Sequence, residues 1–599
     1  MSLLLNPRDV EFVLYELLDT EALVQTERYA AHDRETFNGI LDAARRLAEE
    51  KFAPNAAKVD ANEPTFDGEC VHHIPEIHEA VAAYIKSGFM GVMAEADSGG
   101  MQLPWTVAQA ACAYFSSADI SANAYALLTQ ASINLLTEFG SEDQKKRYME
   151  PMIEGRFFGT MCLSEPQAGS SLSDIQVRAQ RTDGDHFLIS GTKMWISAGE
   201  HELSENIVHL VLAKIPDGPP GVKGISLFVV PRYRVDDDGS LGERNNVVLG
   251  GLNHKMGFRG TTNTVLNFGE SGDCHGWLVG EENRGLFCMF HMMNEARVGI
   301  GLGAMTLGYT GYLHSLQYAR ERSQGRHPRD KDPTSPQVPI IQHADIKRLL
   351  MAQKSAAEGS LALILYCAYL IDIQRTAEYE GERTRVGLLL DILTPVAKSW
   401  PSEFCLEANK HAIQILGGYG YTREFPLERF YRDNRLNPIH EGTHGIQGLD
   451  LLGRKVSMQG GAAFATLYEE YEKTAAEAAA YPDLNEYCES FAGAIQALRE
   501  TTETLVALNG EGDTNRALAN ATVYLDTFGH VVLGWIWLRQ AVVSVRALPS
   551  AEGSDVAFYR GKLQACRYFY RYEMSRVSER CAFLASADDT CLAAVESWF

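Results

Sequence analysis

The chain lacks the residue patterns that mark several common classes of protein. Its 11 cysteines include no CxxC pair, so the sequence predicts neither a zinc ribbon nor a redox dithiol. The chain also has no Walker A loop and no GxSxG motif. The sequence therefore does not predict a P-loop ATPase or an α/β-hydrolase. The sequence predicts no metal site, and we interpret the cysteines as buried thiols in a reducing compartment.

Basic residues are in the minority. The chain has 54 Lys and Arg against 78 Asp and Glu, a formal net charge of -24. A nucleic-acid groove needs clustered Lys and Arg to replace counterions, so no nucleic-acid partner is expected. At 599 residues, with 45% hydrophobic and 22% charged residues, the chain is typical of a soluble globular protein of three or four domains.

Long uninterrupted apolar runs are missing as well. The most apolar late stretch, "VYLDTFGHVVLGWIWLRQAVVSV", is interrupted by Asp526, His530 and Arg539. Its unbroken core is too short to span a bilayer, so it is predicted to be a buried helix. The N-terminus shows no basic segment followed by an apolar core, and no signal peptide is predicted. We expect a cytoplasmic protein without an integral membrane segment.

The spacing of apolar residues changes along the chain. Helical spacing extends to about residue 154, short alternating and β-branched runs such as "GISLFVVPRYRV" fill residues 157 to 278, and helical spacing then returns. These patterns predict an α+β multidomain protein. We predict an N-terminal all-α domain (1–156), a middle antiparallel β-barrel-like domain (157–282), a four-helix-bundle-type domain (283–456) and an additional helical domain (457–599).

Two candidate binding motifs lie in the strand-rich region. "MCLSEPQAGSSLSD", residues 161–174, combines turn residues with serines, so it is either a ligand-binding loop with exposed N–H groups and hydroxyls or an ordinary turn. "GTKMWISAG", residues 191–199, reads as a strand in which Trp195 and Ser197 share a face. That face suits a flat aromatic ligand, although packing of Trp195 in the core is a second interpretation.

A third motif, "QILGGYGYTREFPLERFYRDNRLNPIHEGTHGIQ", surrounds one carboxylate. Glycines let a ligand or another backbone come close, and Glu441 follows on the next turn. Glu441 is either a functional acid or a residue that caps the following helix.

Together these motifs resemble one family. "MCLSEPQAGSS", "GTKMWISAG", "HKMGFRGTT", "ILGGYGY" and "IHEGTHGIQ" stand in the order and approximate spacing of the acyl-CoA dehydrogenases, over about residues 41–455. The added C-terminal region resembles the enlarged bacterial branch, which includes broad fatty acyl-CoA and methylthiopropionyl-CoA dehydrogenases.

The resemblance implies a non-covalent FAD, with Glu441 as the base that removes the α-proton of an acyl-CoA while a hydride passes from the β-carbon to flavin N5. It implies these cofactor-binding residues: Leu163, Ser164, Gly169, Ser170, Trp195, Ser197, Arg322, Gln342, Gln414, Gly417, Gly418 and Thr443. It implies these substrate-binding residues: Ser170, Asn294, Arg297 and Gly442. Some members carry the base on the helix before the arginine, but here that position is Ala296, and the neighbouring Glu295 faces about 100° away.

The chemistry explains why an acid would be needed. The α-proton of a thioester is weakly acidic, so its removal requires a positioned base in a water-poor pocket and donors on the carbonyl. Burial makes a carboxylate a stronger base. A flavin supplies the hydride acceptor that side chains lack.

Partners and alternatives also follow from the resemblance. We expect an acyl-CoA substrate, with medium or long chains favoured, electron-transferring flavoprotein as acceptor, and a homodimer. The alternatives are a methylthiopropionyl-CoA dehydrogenase, an acyl-CoA oxidase reoxidised by oxygen, and a nucleic-acid-associated flavoprotein of the same fold.

Overall fold

The computed structural model describes residues 2–599, except for the side chains of residues 291–294. The predicted site residue Asn294 therefore lies outside the described residues. Contacts divide the chain into two compact units, which we call unit 1 (Met1–Ala30 with Ile300–Phe599) and unit 2 (Ala31–Gly299). The predicted division into four domains stays a prediction.

Helices, then strands, then helices follow one another along the chain, as predicted. The α-helices are α1 Pro7–Glu11, α2 Arg34–Leu47, α3 Ala56–Ala61, α4 Pro75–Lys86, α5 Trp105–Phe139, α6 Glu142–Gln144, α7 Glu150–Ile153, α8 Gly285–Glu321, α9 Ala344–Thr376, α10 Glu380–Leu416, α11 Leu427–Asn434, α12 His444–Asp450, α13 Met458–Ala478, α14 Asn485–Gly510, α15 Thr514–Leu518, α16 Ala521–Ala547, α17 Ser554–Tyr568 and α18 Val577–Ala585. The strands are β1 Thr65–Phe66, β2 Val71–His72, β3 Phe157–Cys162, β4 Arg178–Arg181, β5 Phe187–Ser197, β6 Asn206–Lys214, β7 Ile225–Pro231, β8 Tyr233–Val235, β9 Leu241–Arg244, β10 Val247–Leu252, β11 Asn263–Phe268 and β12 His275–Val279.

The main sheet of unit 2 has the strand order β10-β11-β5-β12-β7-β6-β3, with β4 beside β5 and β6. Neighbours are antiparallel except that β3 and β4 run parallel to β6. The runs of apolar residues in β3 and β6 are buried almost throughout, as expected for strands covered on both faces. Residues such as Val211, Phe228 and Leu266 form the core of this sheet.

Unit 1 is helical and contains two long apolar helices. Ala344–Thr376 and the stretch Ala521–Ser550 are long and apolar enough to cross a membrane by composition, but 89% and 67% of their most apolar windows are buried inside the protein. Such burial is typical of the core helices of soluble proteins. The interrupted stretch around Asp526 is therefore a buried helix, as predicted.

A buried network of charges joins the N-terminal segment to the rest of unit 1. The ammonium of Lys562 pairs with the carboxylate of Asp9 and lies 2.9 Å from Glu358 Oε2. Lys354 pairs with Glu358 on α9. Because a buried charge is stable only when it is paired, this network explains why residues 1–30 pack with helices that follow residue 300.

Candidate active site

Glu441 lies in a sharp turn between α11 and α12. Its φ angle is 52°, in the left-handed region, and the φ of Gly442 is 89°. Thr443 is the N-cap of α12, and its hydroxyl oxygen accepts a hydrogen bond from the Ile446 N–H at 3.3 Å. The cap of this helix is therefore Thr443, and the left-handed backbone of Glu441 needs another explanation.

Two buried side chains hold the carbonyl groups of this turn. The Lys398 ammonium, buried in α10, donates to the carbonyls of Gly442 (2.8 Å) and Asn437 (2.7 Å). The Gln447 amide donates to the Glu441 carbonyl at 3.3 Å. These donors fix the turn from two helices, which is how a left-handed residue other than glycine persists in a folded protein.

A buried row of amides supports the same segment. Asn434 donates to Asn409 at 2.7 Å, and Asn437 donates to Asn434 at 2.9 Å. All three side chains are buried, and their hydrogen bonds offset the cost of burying polar groups. The end of α11 is thereby fixed against α10, and the Glu441 turn begins from a rigid base.

The turn also has the sequence His-Glu-x-x-His, from His440 to His444, which matches the motif of zinc proteases. That motif needs both histidines on one face of a helix, whereas here α12 begins only at His444. The His440 ring contacts Asn437 at 3.1 Å and the His444 ring contacts Asp526 at 3.0 Å. Burial and the neighbouring Lys398 ammonium lower the pKa of His440 to about 3, so it is neutral at pH 7. The geometry is not that of a metalloprotease.

Most of the predicted cofactor residues of unit 1 lie on its surface. Arg322, Gln342, Gln414, Gly417 and Gly418 are exposed. The Arg322 guanidinium lies 5.9 Å from the centre of the Tyr419 ring, and the Arg322 carbonyl accepts from the Ile340 N–H at 2.8 Å. The structure thus places Arg322 beside the turn that contains Gly417 and Gly418 and beside the segment that contains Gln342.

Gly417 ends α10 with a φ of 59° and a ψ of -131°, a conformation that favours glycine. A Cβ atom on Gly417 or Gly418 would meet nothing within 4 Å. The backbone of this turn is therefore open to a ligand.

The loop after β3 is anchored by a buried ion pair in unit 2. Lys193 Nζ lies 2.9 Å from Glu165 Oε1 and 2.8 Å from the Leu163 carbonyl. Glu165 also accepts hydrogen bonds from the N–H groups of Gln176 and Val177. Burial would raise the pKa of Glu165, but the Lys193 ammonium and these N–H groups hold that pKa below its usual range.

This anchor places the loop beside the end of β5. The Met194 N–H donates to the Ser164 carbonyl at 3.0 Å, so Leu163 and Ser164 adjoin the strand that carries Trp195 and Ser197. Gly169 and Ser170 are exposed. The start of the first motif therefore lies against the second motif.

Trp195 departs from the geometry that strand alternation predicts. A β-bulge opposite Val265 interrupts the pairing of β5 with β11, and the φ of Trp195 is 65°. Its side chain is 59% exposed, which excludes packing of the indole in the core. Ser197 accepts a hydrogen bond from the Asn263 amide at 3.3 Å. Bulges of this kind re-aim a side chain beside functional sites.

The predicted substrate residue Arg297 lies on α8, and so does Glu295, the alternative to Glu441 as the base. Arg297 is buried. Glu295 is partly buried and accepts a hydrogen bond from the Asn134 amide at 3.1 Å.

Sequence reasoning missed Lys398, which holds the Glu441 turn in unit 1, and the pair of Lys193 and Glu165, which anchors the loop after β3 in unit 2. The two lysines could have been found from the sequence, because each lies in an otherwise apolar segment: Lys398 in "VAKSW" and Lys193 in "TKMWI". A buried lysine needs a partner.

Family models match four successive parts of the chain. They are the N-terminal domain of acyl-CoA dehydrogenases at residues 34–156, the middle domain at 160–270, the C-terminal domain at 283–456, and an acetyl-CoA dehydrogenase C-terminal-like domain at 467–594. The chain belongs to the acyl-CoA dehydrogenase family. Members of this family are flavoprotein oxidoreductases that act on the CH–CH group of acyl-CoA thioesters.

Two relatives match over nearly the whole length of this family member. It is 35% identical to the 3-methylmercaptopropionyl-CoA dehydrogenase of Ruegeria pomeroyi, covering 98% of each chain. It is 32% identical to the broad-specificity linear acyl-CoA dehydrogenase FadE5 of Mycobacterium tuberculosis, covering 94% of each. A solved acyl-CoA dehydrogenase from Bacillus anthracis, complexed with FAD, has the same fold, with a TM-score of 0.69 and 18% identity over 97% of this chain and 93% of the other.

Proposed function

We propose that this protein uses FAD to oxidise a saturated acyl-CoA to the trans-2-enoyl-CoA, and that Glu441 removes the α-proton. The observation that carries the proposal is the left-handed backbone of Glu441, fixed by Lys398 and Gln447. Such a conformation costs about 1–3 kcal/mol in a residue other than glycine. A glutamate that persists there despite this cost is explained by a role of its carboxylate.

The chemistry of the turn suits a base. Gly442 has no side chain to obstruct a thioester, and we propose that the N–H of Glu441 donates to the thioester carbonyl, where the enolate charge develops. Glu441 is only partly exposed, so a bound acyl chain would complete its removal from water. Loss of water raises the proton affinity of a carboxylate and strengthens it as a base.

The exposed residues of unit 2 fit a flavin. The half-exposed indole of Trp195, the hydroxyl of Ser197 and the exposed loop of Gly169 and Ser170 offer a flat apolar face bordered by hydrogen-bonding groups. FAD, when bound, would supply the hydride acceptor for the β-carbon. We propose that Leu163, Ser164, Gly169, Ser170, Trp195, Ser197 and Thr443 hold its ring end. We propose that its pyrophosphate and adenosine are bound by the partner subunit's Arg322, Gln342, Gln414, Gly417 and Gly418. We propose that Ser170, Asn294, Arg297 and Gly442 contact the substrate.

We propose a linear acyl chain of medium or long length as the substrate, and 3-methylmercaptopropionyl-CoA as the second candidate. The second candidate is favoured by the 35% identity to the dehydrogenase of that name over 98% of both chains. Both substrates carry the α and β hydrogens that the reaction requires. We further propose a cytoplasmic homodimer that passes its electrons to electron-transferring flavoprotein rather than to oxygen.

The test is a panel of acyl-CoAs of different chain length, with 3-methylmercaptopropionyl-CoA included, added to the purified yellow protein with an artificial electron acceptor. Glu441→Gln is assayed beside Glu295→Gln as the matched control. We expect one class of thioester to bleach the wild type, Glu441→Gln to keep its flavin but lose about 10²- to 10⁴-fold in turnover, and Glu295→Gln to stay close to the wild type.

Three results would contradict the proposal. A flavoprotein that no thioester reduces is not an acyl-CoA dehydrogenase, and an active Glu441→Gln places the base elsewhere. Stopped-flow mixing of the reduced enzyme with air decides the acceptor, because reoxidation on the timescale of turnover identifies an oxidase.

A further inference from the structure

A cluster of metal-ligating side chains lies in unit 2 outside the site described above. It consists of His73, which lies two residues before α4, His78, which lies in α4, and Glu202, which lies in the loop between β5 and β6. One ligand atom from each of these residues lies within 4.8 Å of the other two. Two ligands of one zinc ion, each about 2 Å from it, lie at most about 4 Å apart, so binding of one ion would draw these atoms closer together.

Each of the three side chains is oriented by a specific contact. The Glu202 carboxylate accepts a hydrogen bond from the backbone N–H of His73 at 2.9 Å, and it contacts the ring atom His78 Nε2 at 3.2 Å. Burial would raise the pKa of Glu202, but these hydrogen bonds hold it below its usual range. The carboxylate is therefore charged at pH 7.

The hydrogen bonds of the His73 ring favour its neutral form, with one ring nitrogen free to bind a metal ion. Its Nε2 atom contacts the Tyr125 hydroxyl at 2.8 Å. The Tyr125 hydroxyl already accepts from the Thr262 N–H and donates to the Gly260 carbonyl, so His73 Nε2 is the donor of its bond to Tyr125. The Nδ1 atom then carries the lone pair, and it is buried with no hydrogen-bond partner in the described structure. A neutral imidazole oriented through its second nitrogen is the usual form of a metal-binding histidine.

A third histidine, His72, lies beside the other oxygen of the Glu202 carboxylate. His72 Nδ1 lies 3.6 Å from Glu202 Oε2, and His72 Nε2 contacts Asp67 at 2.7 Å. His72, oriented by Asp67, therefore lies beside the second oxygen of the ligand carboxylate, in the place that an outer shell takes around a metal site.

We propose that His73, His78 and Glu202 form a binding site for Zn²⁺, with His72, Asp67 and Tyr125 as its outer shell. Two imidazoles and a carboxylate favour zinc over Mg²⁺ or Ca²⁺, which prefer oxygen ligands. His78 and Glu202 are more than a third exposed, so the ion has a path from solvent and its fourth position is open to water. The residue spacing did not predict the site because 124 positions separate His78 from Glu202.

The site would be structural. His73 and His78 belong to the helical part of unit 2, and Glu202 lies between two strands of its sheet. A zinc ion would therefore join the helices to the sheet and raise the thermal stability of the folded protein, because a ligand that binds only the folded state stabilises it. This role is independent of the proposed dehydrogenase reaction.

The experiment uses the full-length flavoprotein without a histidine tag, stripped with EDTA and titrated with ZnCl₂ by calorimetry and by thermal unfolding. We expect about one strong site per chain and a higher unfolding midpoint with zinc. We expect His78→Ala and Glu202→Gln to bind at least about tenfold more weakly, and Tyr125→Phe to weaken binding by about 10- to 100-fold.

His254→Ala is the matched control, since His254 is an exposed histidine that also contacts a carboxylate, Glu63, at 2.8 Å. It should bind zinc as the wild type does. Glu202→Gln keeps an oxygen acceptor for the His73 N–H, so it reports on the ligand charge if His78→Ala does not fold. Equal zinc binding by the wild type, His78→Ala and Glu202→Gln would overturn the proposal, and so would competition by MgCl₂ at concentrations equal to those of ZnCl₂.

Discussion

The ammonium of Lys398 lies 2.8 Å from the carbonyl oxygen of Gly442 and 2.7 Å from that of Asn437. It connects the middle of α10 to both sides of Glu441. The position of the carboxylate therefore depends on a side chain that precedes Gly442 by 44 residues in the sequence.

Lys398→Met should impair turnover more than folding. Loss of the donor leaves two carbonyls without this hydrogen bond and costs about 1–3 kcal/mol in the free energy of unfolding. A displaced base costs about 10²-fold in kcat, with less change in KM. Lys410→Met, which removes an exposed lysine paired with Glu407 on the same helix, should change the free energy of unfolding by less than about 0.5 kcal/mol. A Lys398→Met enzyme with unchanged kcat would contradict a positioning role.

Glu441→Gly should separate stability from activity. Glycine adopts a φ of 52° without the cost of about 1–2 kcal/mol that other residues meet in the left-handed region. We expect the free energy of unfolding to stay equal or rise by up to about 1 kcal/mol, while turnover falls as it does in Glu441→Gln. Denaturant unfolding and the acyl-CoA assay measure the two quantities.

Glu428→Gly is the control for that substitution, because Glu428 lies in α11 with its carboxylate paired to Arg432. Glycine there should destabilise the protein by about 1 kcal/mol. If both glycine variants lose stability equally, the backbone of Glu441 is not strained.

Two glycines of α12 should respond to alanine in opposite directions. A Cβ on Gly448 would lie 2.7 Å from the Ala521 carbonyl oxygen, whereas a Cβ on Gly445 would meet nothing closer than Thr522 Oγ1 at 3.9 Å. Gly448→Ala should cost about 1–3 kcal/mol by overpacking α12 against α16, and Gly445→Ala should be neutral or stabilising by up to about 1 kcal/mol. Equal unfolding midpoints for the two variants would show that the added C-terminal helices do not pack closely on α12.

Acid should destabilise the protein through His209. This ring is fully buried in β6, with Nδ1 2.8 Å from the Thr160 hydroxyl, and burial together with Arg232 and Arg244 lowers its pKa to about 3. Because the unfolded pKa is about 6.5, the unfolded chain binds a proton that the folded protein does not. The contribution of the neutral His209 ring to the free energy of unfolding is complete above pH 6.5. It falls with pH, and the free energy of unfolding is lower by about 2 kcal/mol at pH 5.

His209→Asn should flatten the dependence of the unfolding free energy on pH between 6.5 and 5, whatever it does to stability at pH 7. His254→Asn, which changes an exposed histidine, should leave the slope unchanged. A His209→Asn protein with the slope of the wild type would mean that another group titrates.

The sequence by itself determined the fold class and the places to look for chemistry. Apolar spacing of 3.6 and of 2 residues is a local property, and it predicted helices, then strands, then helices. Turn residues and glycines likewise marked the segments around Ser164, Trp195 and Glu441. These features depend on residues that are neighbours in the chain.

Only the tertiary structure decided how those segments are held. Lys193 and Glu165 are 28 residues apart, and the bulge that exposes Trp195 depends on the pairing of β5 with β11. The left-handed Glu441, and the assignment of the helix cap to Thr443, depend on contacts of α10 and α12 with the turn. The cluster of His73, His78 and Glu202 depends on a helix and a sheet meeting. Burial and long-range hydrogen bonds select these conformations, and neither is a local property of the chain.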